Sequence, residues 1–321
     1  MVCFRSRRLA AGLFVCGVVL VACKKEESST AGDNGATGAK NQDLQLIPVD
    51  SELVLGLNLA QARDSGMVRG LQQAAEKRPK VQALLEKIRT KCGFDPLTTV
   101  SSITLGAKNL GGNLDGVIVI HGLEKAKALP CVDQLKDELA AQKVEVTRDG
   151  DVVLAKGGGT EETAALTFVD DKTAILVVGP KGTKAGALEV AQGKSTLSTS
   201  KEFTDMYSRV KTGDTLWLLL NGAAEPVANL LSKINVKSKA VFGSVNAANG
   251  LSADLRMRVE SEDQATNVAK LLESQAAPFA QFADKVEIVS DKSDVRVTVS
   301  FTEEKLKSVM GLARAAFGSR M

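Results

Sequence analysis

The apolar run from Leu9 to Ala22 stops at Cys23, and Lys24, Lys25, Glu26 and Glu27 follow at once. A helix that spans a bilayer needs about 20 apolar residues, and this run is shorter. Arg5, Arg7 and Arg8 precede it. A basic start, a short apolar middle and small residues at the end describe a secretory leader that is not part of the fold. Whatever the chain folds into is therefore expected to begin after residue 22 and to form outside the cytoplasm. No apolar run of spanning length recurs after Cys23, so the sequence predicts no transmembrane helix.

Leu20-Val21-Ala22-Cys23 resembles the lipobox of bacterial lipoproteins. In that family a lipid is attached to the cysteine thiol, and signal peptidase cuts before it. The resemblance implies cleavage between Ala22 and Cys23, and a membrane held through lipid on Cys23. Two acyl chains suffice for stable attachment, where one is marginal. Lys24 stands where an aspartate favours inner-membrane retention in gram-negative members. The implied location is therefore the outer membrane or cell surface.

The chain has 41 Lys+Arg and 38 Asp+Glu. Loss of Arg5, Arg7 and Arg8 leaves the two signs equal, which argues against a nucleic-acid footprint. One Trp, one Tyr and few Phe offer little for base stacking. The core must be built of Leu, Val, Ile and Ala.

Residues 23–43 lack large apolar side chains and are rich in Gly, Ser and Asn. They cannot offset the entropy of ordering and read as a flexible tether. From residue 44 the pattern is strand, helix, hairpin, helix and strands, and from residue 213 it begins again. Val117-Ile118-Val119-Ile120 reads as a central strand, and Asn249-Gly250 as a hairpin turn. Val68, Leu71 and Ala75 make one helical stripe; Val81, Leu84, Leu85 and Ile88 make another after Pro79. Leu53–Ala60 aligns with Leu216–Ala223 at an offset of about 163. Ile103, Leu105, Ala107 and Asn109 align with Gly243, Val245, Ala247 and Asn249 at an offset of about 140. The expected fold is α+β: two similar lobes, 44–212 and 213–321, of mainly antiparallel sheet with helices on one face, produced by internal duplication. Ile47-Pro48-Val49-Asp50 and Cys92-Gly93-Phe94-Asp95-Pro96 resemble stretches of uncharacterised two-lobed envelope lipoproteins. That resemblance covers most of 44–318 and implies no reaction.

Candidate chemistry is sparse. His121 is the only histidine, ends an apolar strand, and reads as a strand-end polar residue. Gly193-Lys194-Ser195-Thr196 imitates the end of a P-loop. Position 188 is Leu where that motif needs Gly, and the stretch follows a helix rather than a strand. Lys156-Gly157-Gly158-Gly159 reads as a loop, and Trp217 as core. No catalytic, cofactor or metal set emerges, although a Ser–Lys pair stays open on composition. Cys92 and Cys131 are the only cysteines after Cys23. Export places them where disulfides persist, and both fall at helix ends that can meet, so a bridge is expected. The expected function is a lipid-anchored envelope module for binding or scaffolding, without catalysis. An envelope hydrolase and a carrier of an apolar envelope molecule stand as alternatives.

Overall fold

The computed structural model describes residues 42–63, 65–66, 79–110, 115–157, 163–194, 196–232 and 236–317. The leader, Cys23, most of the tether and the Val68–Ala75 stripe lie outside them.

The first half contributes β1 (Leu53–Asn58), β2 (Ser102–Lys108), β3 (Asp115–His121), β4 (Val144–Asp149), β5 (Val152–Gly157), β6 (Thr163–Phe168) and β7 (Thr173–Val178). The second contributes β8 (Leu216–Asn221), β9 (Ala240–Asn246), β10 (Leu251–Arg258), β11 (Lys285–Asp291) and β12 (Asp294–Phe301). All join one 12-stranded antiparallel sheet, in the order β11-β12-β10-β9-β8-β1-β2-β3-β7-β6-β5-β4. Outward from the centre one lobe reads β8, β9, β10, β12, β11, and the other β1, β2, β3, β7, β6. The order is the same, with the β4–β5 hairpin added to the first. Both lobes share one sheet.

The seam carries the clearest mark of duplication. β1 and β8 pair antiparallel, with Leu53 opposite Leu220, Leu55 opposite Leu218 and Leu57 opposite Leu216. Equating Leu53 with Leu216 makes Leu55 and Leu218 equivalents that face one another. A pseudo-two-fold axis therefore passes through that pair, normal to the sheet, as in an isologous contact between identical units.

Successive strand residues point to opposite faces, and here both faces are partly covered. On one face Val54, Val117, Val119, Ile175, Val177, Trp217, Leu219 and Phe242 form the main core. Helices α6 (Lys184–Ala191) and α7 (Lys201–Ser208) pack on it, with Leu44 and Ile47 from the start of the described chain. On the other face Ile103, Ile118 and Ile120 meet Leu59 of α1 (Leu59–Ala62), Val81 and Leu85 of α2 (Pro79–Lys87) and Leu97 of α3 (Pro96–Thr99). The four consecutive β-branched residues of β3 need cover on both sides. The expectation of helices on one face is corrected accordingly. It holds in the second lobe for the long helix α9 (Glu262–Ala276), which follows α8 (Glu225–Ser232) and packs on Met257, Ile288, Val295 and Val297. The opposite face there carries paired charges. Arg296 is bidentate to Asp254 (2.9 and 2.7 Å), and Arg258 to Asp294 (2.8 and 3.1 Å). The last described helix is α10 (Glu303–Phe317).

Local signals are mostly obeyed. Asp95 caps α3 and Ser261 caps α9. Ser200 caps α7, and the hydroxyl of its neighbour Thr199 donates to the Thr196 carbonyl. Cys131 does not open a helix: α4 (Lys125–Gln134) already begins at Lys125, holds Pro130 inside, and hands on to α5 (Lys136–Ala141). The disulfide still forms. Cys92 and Cys131 are bridged, Cα to Cα 4.8 Å, closing a separation of 39 residues. Cys92 ends a π-helical turn, Ile88–Cys92, so the bond joins α2 and its extension to α4 over Ile88, Phe94, Leu135 and Leu139. Replacing both cysteines by serine is expected to lower stability by about 2–4 kcal/mol. Urea unfolding of the variant, beside wild type with and without reductant, measures this. Equal midpoints in all three would show that the bridge adds nothing.

Candidate functional site

Two features on the main-core face concentrate polar chemistry beside apolar surface. They lie at opposite ends of the central strands, and residues 42–52 run between them.

The first is a polar chain running from a buried carboxylate through a half-buried imidazole. Asp43, assigned to the tether by its sequence, is 3% exposed and sits against β2 and β3. Its Oδ1 lies 2.7 Å from Nε2 of His121, and its Oδ2 accepts a hydrogen bond from Oγ1 of Thr104 at 2.5 Å. Nδ1 of His121 lies 3.2 Å from Oγ1 of Thr173. The hydrogen bond to Asp43 raises His121 above its ordinary imidazole value, and burial works against this. Tyr207 on α7 is pushed up to about 12, first by burial and then by the Asp43 carboxylate. Asp170, in the β6–β7 turn, accepts the backbone N–H groups of Lys172 and Thr173 and adds a second negative charge near His121.

A hydroxyl, an imidazole and a carboxylate in sequence have the ingredients of a nucleophilic triad. The placement differs. Thr173 is buried in β7, and the far oxygen of Asp43 is bound to Thr104. The chain therefore ties one segment to the sheet without presenting a hydroxyl to solvent. Among the described residues no three His, Cys, Asp or Glu side chains are placed to hold a metal. Thr196 of the P-loop-like stretch forms a β-bridge to Pro48, and α6 ends before it, so no strand–loop–helix cradle exists there; Ser195 lies outside the described residues. Lys156 and Gly157 are the last two residues of β5, paired with β4, so the loop reading is corrected for them; Gly158 and Gly159 lie outside the described residues.

The second feature is an open groove of about 560 Å³. Its floor is Val54 and Leu219 on the sheet with Phe203 and Met206 of α7; its rim includes Glu202 and Lys239. Val49, Ser51 and Glu52 make one wall. The pseudo-two-fold explains why the groove is open. The axis relates the Val54–Leu219 pair to the Trp217–Gly56 pair. At the latter, the indole of Trp217 lies over Gly56, so near that a Cβ there would come within 2.1 Å of the ring. Tyr207 meets that indole edge-on at 5.4 Å, and Phe203 stacks on Tyr207 at 6.1 Å. Trp217 fills its side; two aliphatic side chains leave the equivalent side unfilled. Trp217 is 3% exposed, a core residue as its sequence context implies.

α7 holds the two features together. Phe203 and Met206 enter the main core, while Asp205 and Arg209 reach the second lobe. Arg258 donates to Asp205 at 3.0 Å, and Arg209 donates to the buried Asp294 at 3.1 Å. The Arg258 guanidinium also lies 5.4 Å from the Phe242 ring centre. The sequence offered no sign of Asp43 as a site residue, because its partner is 78 residues away.

No family model matches the chain, and no curated protein matches it. Solved structures do. Crystal form III of TP0453 superposes with a TM-score of 0.53 at 9% identity, over 83% of this chain and 96% of that one. Crystal form I gives 0.52 at 10% identity, over 83% and 95%. At such identity the likeness is one of fold.

Proposed function

We propose that this chain is a lipid-anchored cell-envelope protein that works as a non-catalytic binding or scaffold module. The observation that carries the reading is Leu20-Val21-Ala22-Cys23 followed by a polar tether. Lipid on Cys23 holds the folded part at the outer membrane, on its periplasmic or surface face. The Cys92–Cys131 bridge supports export.

The groove over the β1–β8 seam is the binding element of this reading. Its volume falls in the range of small-molecule sites, and it combines an apolar floor with a charged rim. A carrier of an apolar envelope molecule is the second reading, favoured by that floor. A photo-crosslinker placed at Ser200, on the groove rim, tests both in intact cells. Adducts of one defined mass, absent with the crosslinker at exposed Lys292, are expected. A protein adduct supports the scaffold reading and a small apolar adduct the carrier reading. Equal, non-selective labelling at the two positions would remove the groove from the proposal.

A further inference from the structure

Residues 42–52 form a strap across the sheet. Leu44 and Ile47 are buried beneath it, and Ile47 occupies the space left by Gly106, where a Cβ would come within 2.3 Å of its Cγ2. The strap touches the turn before α7 through backbone bonds from Leu197 to Ile47 (3.0 Å) and from Ser198 to Leu44 (3.3 Å). At its far end Lys108 donates to Asp50 at 2.7 Å. At its near end stands Asp43, held by His121 and Thr104. Val49, Ser51 and Glu52 of the same strap wall the groove.

We propose that the Asp43–His121 contact is a pH-operated latch, closing the strap along the groove in mildly acidic medium and loosening it as the medium turns alkaline. Of the side-chain types at the strap and its supports, imidazole is the one whose ordinary value lies between about pH 5 and 8, and His121 is the only histidine of the chain. The charged and titratable groups around the ring are Asp43 from the strap, Asp170 from the β6–β7 turn and, beyond Asp43, Tyr207 from α7. Both carboxylates favour the imidazolium. The sign follows from linkage. His121 gains its partner on closing, so its value is higher closed than open. The stabilisation of the closed strap is full below the open-state value of about 6.5 and is lost as pH rises through the closed-state value. Above it, the buried Asp43 carboxylate keeps a neutral partner where it had a cationic one. The latch goes beyond the anchoring reading and stands whether or not Cys23 carries lipid.

The full mature protein in detergent provides the test. Its one histidine gives one imidazole titration by NMR. In parallel, amide exchange is followed at Ile47 and Glu52, which bond to Asp43 and Ala107 carbonyls. Rates are corrected for intrinsic exchange and referred to β7. His121 is expected to titrate above about 6.5, and strap protection to fall about tenfold for each unit by which it does so. His121→Gln keeps a donor toward Asp43 without the charge and should leave strap protection flat with pH. Asp43→Asn should bring the His121 titration back toward about 6.5. Flat protection in wild type, a wild-type profile in His121→Gln, or a His121 value at or below about 6.5 would each overturn the latch. Should His121→Gln fail to fold, the wild-type titration and Asp43→Asn still decide.

Discussion

Replacing Cys23 by Ala is expected to move the protein out of the membrane fraction. Without the thiol no acyl lipid can be attached. Among the described residues no helix is long and apolar enough to cross a membrane in its place. A single acyl chain holds a protein only marginally, and two or more make attachment stable, so loss of the whole anchor should shift partitioning by orders of magnitude. Phase separation in detergent, with mass analysis of the mature N-terminus, measures it. Wild type should enter the detergent phase with a lipid-modified Cys23. An alanine variant that partitions like wild type would sink the lipoprotein reading and leave the fold description untouched.

The second large effect is expected at Trp217. Truncation to alanine removes the indole that covers Gly56 and that Tyr207 abuts, and the loss should be about 3–5 kcal/mol. Gly56→Ala should also destabilise, because its Cβ meets the indole. The two changes should not add: with Trp217 gone, the extra methyl enters the space the ring left. A double-mutant cycle by chemical denaturation reads this coupling. Additive losses would mean that the ring does not rest on Gly56 in solution.

Much of the architecture was legible in residue patterns. The matching of Leu53–Ala60 to Leu216–Ala223 marks the two central strands, and Asn249-Gly250 marks a hairpin. The offset at the next strand is less well read. Ala107 pairs with Leu53, and Val245 with Leu216, so Ala107 corresponds to Val245. The pattern had placed it two residues on, at Ala247. A slip of two keeps every side chain on its own face, and alternation cannot detect it. The two-sided burial of the sheet was visible in Val117–Ile120 but was not carried through to the placing of helices. Of the candidate site, His121 stood out only by being alone. Asp43 looked like tether because it follows a polar run, and burial by a distant partner leaves no local trace. The groove depends on a difference between Val54 and Trp217 across a symmetry axis, which needs the strand register before it has meaning.

The register of the seam also bears on how the chain is made. β1 precedes β8 in the chain, with most of the first lobe between them. Until Leu216–Asn221 arrives, the edge of β1 offers a row of unpaired backbone groups whose best match is a strand like itself. A nearby copy could supply such a strand, since the pairing is the same read from either side. The covalent link decides the contest by proximity: the second half of the same molecule stays within reach of β1 at a concentration that dilution does not lower. Crowding nascent chains together, or lengthening the connection before Thr215, would shift that contest toward exchanged dimers.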